Sequence, residues 1–136
     1  MVRYVVMLFG MTFIGGAFGV PEAASGHHSI AMFDQNHPIE LVGTVREYTF
    51  TSPHAFILLE AKGADGQLVL WSLEGNSPNS LTWDGWSSRT LRPGDEIRMI
   101  IEPLRNGGPG GTWTPKKTRY KDGTPITSGT PIAGAH

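Results

Sequence analysis

The sequence predicts an all-β fold, a five-stranded OB-like β-barrel with a short helix between strands three and four. Gly and Pro, 18 and 10 of the 136 residues, punctuate the chain so often that its apolar runs are short. Those runs mostly alternate with the period of two that marks strands, not with the 3.6 of helices. The one helix signal falls after the third run, so the order is three strands, a helix and two strands. That is the order of an OB barrel, in which a long bent first strand serves both sheets and the helix plugs the bottom. A small β-sandwich of similar strand count is the alternative, and the interposed helix argues against it.

The first strand covers residues 39–50. Ile39, Leu41 and Val45 share one face while Val42, Tyr48 and Phe50 take the other, so the apolar phase changes near Arg46, and Gly43 eases the bend. Residues 54–61 form a second strand, apolar on both faces. A turn of Lys62, Gly63, Ala64, Asp65 and Gly66 separates it from the third, residues 67–73, and makes the two antiparallel neighbours. Ser77 is a good N-cap for a helix whose first residue is Pro78, because the missing proline N–H would go unpaired there anyway. The helix ends near Trp83 or Gly85. The turn at Pro93-Gly94-Asp95 leads into a fourth strand at 96–102, where Ile97, Met99 and Ile101 alternate inward. After a glycine-rich loop at 106–111, residues 112–120 make a fifth strand that Pro115 interrupts, which argues for an edge position. Residues 124–136 form a loose tail.

The N-terminus reads as a secretion signal at 1–26. Arg3 supplies positive charge and residues 5–18 an apolar stretch too short for a comfortable membrane span. Small residues allow cleavage after Gly19, Ser25 or Gly26. An uncleaved anchor is the other reading. The protein is then periplasmic or secreted, with a barrel domain at 27–123 and no stable membrane insertion after cleavage. With no cysteine, disulfides, thiolate metal sites and cysteine nucleophiles are excluded. A formal net charge of −1 provides no global field to recruit nucleic acid.

Several segments are familiar in combination: His27-His28-Ser29, Phe33-Asp34, Gly43-Thr44-Val45, Ser52-Pro53-His54, Trp71, Glu74-Gly75 with Ser77-Pro78, Gly85-Trp86, Pro93-Gly94-Asp95, and Pro103 with Arg105 and Gly110-Gly111. The set resembles a family of small exported bacterial proteins classed as a domain of unknown function. The resemblance covers nearly all of the mature chain and implies export and a shared fold, with no activity to carry over.

Candidate chemistry lies in the histidines. A mature chain beginning at His27 offers its amine and ring nitrogen to one metal ion; one beginning at Gly26 offers a histidine in second and third place. Both arrangements suit copper, which favours nitrogen ligands in planar sets. His28, His54 and His37 are the further candidate ligands, and a solvated polar arm is the bland reading of the same residues. Counting the hairpin around Ala64 places His54 opposite Glu74. The pair suits a metal ligand with its orienting carboxylate, a tuned base, or an ordinary structural contact.

Trp71 reads as core, and Trp83 and Trp86 as cover for the barrel base. Trp113, beside the glycine-rich loop with Arg105, and followed by Lys116, Lys117 and Arg119, reads as a contact residue for an anionic ligand. The bland reading gives those lysines the job of protecting an edge strand. No Gly-x-Ser-x-Gly, P-loop or HExxH motif is present, so enzymatic activity has no support beyond what a copper site could supply. Two functions follow: a binding or accessory module for an exported protein or small ligand, using His54, Glu74, Arg105 and Trp113, or a copper-binding protein using His27, His28 and His54.

Overall fold

The computed structural model describes residues 30–126; the expected signal, His27, His28 and residues 127–136 of the expected tail lie outside them. A 3₁₀ turn at Ile30–Met32 leads to β1 (Ile39–Thr49), β2 (Phe56–Lys62), β3 (Leu68–Glu74), α1 (Pro78–Trp83), β4 (Glu96–Pro103), β5 (Gly110–Thr112), a second 3₁₀ turn at Pro115–Lys117, and β6 (Thr118–Tyr120). The strands run β1-β2-β3-β5-β4, and β1 also pairs with β4, which closes a five-stranded barrel. All pairings are antiparallel except β3 with β5. The predicted barrel with its helix between strands three and four is the observed fold.

The long first strand divides its pairing. Its residues 39–44 lie against β4 and residues 43–49 against β2. The register with β2 slips between Val45 and Glu47, so the predicted change of apolar phase at Arg46 is a β-bulge. Gly43 sits where the strand belongs to both neighbours, and a Cβ there would collide with the Glu60 carbonyl.

Inward residues fill the barrel: Val45, Ile57, Leu59, Leu73, Ile97 and Ile101 are fully buried. From below, α1 inserts Leu81; Ser77 Oγ accepts from the Ser80 N–H, and Pro78 opens the helix as the sequence predicts. Trp83 and Trp86 separate sharply. Two positions past Leu81, Trp83 points about 200° away around the helix, and it is 92% exposed. Gly85 then takes a φ of +80°, which reverses the chain and brings Trp86 into the core. Only Trp86 covers the barrel base. It contacts Trp113 at a centroid distance of 5.0 Å and Tyr48 at 6.3 Å.

The fifth strand starts two residues earlier than expected and is broken in the middle. From Thr112 opposite Glu102 to Thr118 opposite Met99, β4 advances by three residues and its partner by six. The extra residues loop out in the 3₁₀ turn that Pro115 opens. Because β5 lies between β3 and β4, only β6 has the edge character expected of the whole. Past residue 123 the chain still touches the barrel: Arg119 bridges Pro125 and Ile126 is buried.

Candidate functional site

The β2–β3 turn sets where His54 meets Glu74. Gly63 N–H donates to the Gln67 carbonyl at 2.8 Å and Gly66, with φ +79°, completes the turn, so Phe56 and not His54 stands opposite Glu74. The register therefore differs from the predicted one by two residues, which leaves every side chain on its expected face. His54 lies diagonally from Glu74 instead of across from it, and its Nδ1 still comes within 3.5 Å of Glu74 Oε1. The same Nδ1 is 3.2 Å from the Gly75 carbonyl, which can only accept, so Nδ1 carries the hydrogen of that bond.

Gly75 links this pair to the core. A Cβ on it would fall 2.6 Å from the Trp113 ring, so the indole lies flush on the backbone that receives His54. Trp113 is 2% exposed, and the structure places it in the core, not at the surface beside the loop as a contact residue. The reason is that Gly110 and Gly111 belong to β5, not to the loop. Their pairing with Ser72 and Leu73 turns Trp113 inward beyond Thr112. The indole Nε1 of Trp113, that of Trp71 and the hydroxyl of Tyr48 are buried without a protein partner. Burial pushes the Tyr48 hydroxyl far above its ordinary value.

Glu74 also begins a polar row that the sequence does not reveal, because it spans three strands. Thr112 is the register partner of Glu74 on one side and of Glu102 on the other. Thr112 Oγ1 donates to Glu102 Oε2 at 3.4 Å, and Lys117 Nζ stands 3.9 Å from Glu102 Oε1.

Arg105 and His37 lie in a second group. Arg105 donates through Nε to the Ala31 carbonyl at 3.0 Å and approaches Asp34 at 3.7 Å. His37 Nδ1 lies 2.9 Å from Asp34 Oδ2, and this hydrogen bond chiefly holds the Asp34 carboxyl below its ordinary value of 3.8. Phe33, buried and bridged to Leu104, anchors the same segment. Among the described residues, no hydrogen bond or ion pair joins this latch to His54 and Glu74. Neither group gathers three metal-binding side chains among the described residues. Of the expected cationic, aromatic edge, Trp113 is buried, Arg105 approaches Asp34 and Lys117 approaches Glu102.

A model of a family of unknown function, DUF6152, matches residues 17–114. The chain belongs to that family. In this DUF6152 chain the matched segment takes in β1 to β5, α1, His54 and Glu74, and it ends just past Trp113. No curated protein and no solved structure matches the chain.

The outer wall of this DUF6152 barrel carries apolar residues that composition alone does not place. Val42 on β1 and Leu68 and Leu70 on β3 are exposed, the last two at 65% and 51%. Val42 and Leu68 flank a shallow groove of about 450 Å³ with Leu41 and Ala61 among its lining residues. The signal available in the sequence was the unbroken apolar run 68–71, which is apolar on both faces although only one can face the core.

Proposed function

We propose that this protein is a small exported binding module that docks a partner protein on the outer wall of β1, β2 and β3. The supporting observation is the exposed apolar set Val42, Leu68 and Leu70 on one wall, where Val42 and Leu68 line a groove together with the charged Glu40, Glu60 and Lys62. In OB barrels the outer face of strands two and three is the customary ligand face. Export rests on the basic, apolar and small-residue pattern of the first 26 residues. The experiment compares proteins that co-purify with the wild-type chain and with a Val42→Glu/Leu70→Glu variant of unchanged melting temperature. Partners recovered by the wild type should be lost with the variant; an identical set from both would refute the reading.

A second reading, copper binding by His27, His28 and His54, draws support from one feature of His54. Its Nδ1 bonds to the Gly75 carbonyl with Glu74 close by, an arrangement that suits a ligating imidazole offering its other nitrogen. Native mass spectrometry of the processed protein with one equivalent of copper(II) tests it and identifies the first residue. Copper retained against a chelator and lost on changing His27 and His28 to Ala would support it. A chain starting at Val20, or no retention, would end it.

A further inference from the structure

The two sides of β3 are covered to different extents. Along its whole length it pairs with β2, but β5 reaches only Ser72, Leu73 and Glu74. Which backbone groups this leaves open follows from the hydrogen-bond parity of the hairpin. Gly63 and Gln67 are hydrogen-bonded to each other, and in an antiparallel ladder bonded pairs alternate with unbonded ones. Val69, Trp71 and Leu73 therefore direct their N–H and C=O groups toward β2. Leu68, Leu70, Ser72 and Glu74 direct theirs the other way. Two independent bonds agree: the Ser72 N–H donates to the Pro109 carbonyl at 3.1 Å, and the Glu74 carbonyl accepts from Trp113 N–H at 3.0 Å. Among the described residues nothing takes the corresponding groups of Leu68 and Leu70.

Such an edge is usually blunted by a lysine, a proline or a bulge. Residues 68–71 carry none of these, and their outward side chains are leucines. Open backbone groups and exposed apolar side chains thus coincide at the same two residues. We propose that this edge of β3 accepts an extended segment of a partner polypeptide, which adds to the barrel as a strand, seats apolar side chains against Leu68 and Leu70, and presents a carboxylate to Lys62. The inference rests on the binding-module reading and names the kind of partner that module takes.

Charge decides the carboxylate. Beside these leucines on β2 stand Glu60, opposite Leu70, and Lys62, opposite Leu68. Glu60 is held by Arg46, whereas Lys62 has no ion-pair partner among the described residues. Length decides for a peptide over a second copy of the barrel. Four residues of edge fall far short of the roughly 20–30 residues a side of a standard protein–protein interface. A flexible segment needs only that edge and can extend onto the neighbouring groove.

The test is selection from a library of ten-residue peptides alternating apolar residues with Ser, Thr, Glu and Lys, on protein expressed from the full sequence. Enriched peptides should be acidic. Their binding should slow amide exchange at Leu68 and Leu70 at least tenfold while leaving Val69 and Trp71 unchanged. Leu70→Pro removes an N–H that the β2 ladder does not use, so the barrel should keep its fold and lose peptide affinity at least tenfold. If that variant fails to fold, Leu70→Lys serves, as the natural blunting residue. Lys62→Glu should shift selection toward basic peptides. No enrichment, equal binding by the edge variants, or self-association through β3 would overturn the proposal. Partners lost with Val42→Glu/Leu70→Glu but bound without protection of Leu68 and Leu70 would refute strand addition alone, leaving the module reading intact.

Discussion

The two halves of β3 are one continuous strand with opposite surroundings. Residues 72–74 lie between β2 and β5, with Leu73 buried in the barrel and the backbone locked to Pro109 and Trp113. Residues 68–70 have β2 on one side and, among the described residues, no strand on the other, with two leucines outside. The same seven-residue element thus holds the barrel together at one end and offers unused pairing capacity at the other. In a β-barrel, stability concentrates where ladders close, so a break in closure can carry recognition at little cost to the fold.

Substitutions should separate the halves in size of effect. The largest loss is expected at the closed end, where Trp113→Ala removes the ring packed against Trp86 and Gly75, at a cost of about 3–5 kcal/mol of unfolding free energy. Next comes Gly75→Ala, whose added methyl collides with that ring and should cost about 1–3 kcal/mol. At the open end, Leu68→Thr and Leu70→Thr should change stability by no more than about 0.5 kcal/mol while they weaken partner binding. Urea titration of the four variants measures the series. Open-end substitutions as damaging as Gly75→Ala would erase the distinction between the halves.

A smaller effect concerns the latch at residues 30–37. The folded carboxyl of Asp34 is held below 3.8, so its contribution is present above that value and is lost as pH falls through the lower, folded one. Acidification below about pH 4 should therefore loosen the segment around Phe33 and Arg105 while the barrel stays closed. Exchange at Phe33 and Arg105, whose amides donate to Ile30 and Met32, reports it. Asp34→Asn should remove the pH dependence.

Much of the barrel is legible in the sequence because strand faces are written in alternation. The phase change at Arg46 marks the place where the bulge falls, and Ser77-Pro78 predicts the helix start, each from local chemistry. What fails depends on partners distant in the chain. The turn closes one residue later than counting around Ala64 implies, because Gly63 bonds to Gln67, and this moves His54 off the position opposite Glu74. Trp113 looks like a contact residue beside the loop until Gly110 and Gly111 are seen pairing with β3 and β4. Trp83 and Trp86 are three residues apart, and only the reversal at Gly85 decides which one is buried. Of the candidate site, the meeting of His54 with Glu74 could be read in advance from strand parity. The open edge could not, since it depends on how far β5 extends along β3.

Residue-resolved amide exchange across residues 67–74 of the free protein tests the open edge most directly. Alternation should be confined to one half: Leu68 and Leu70 exchange at least about 100-fold faster than Val69 and Trp71, while Ser72 is protected. Uniform protection from Leu68 to Ser72 would show that the edge is already occupied and not open to a partner.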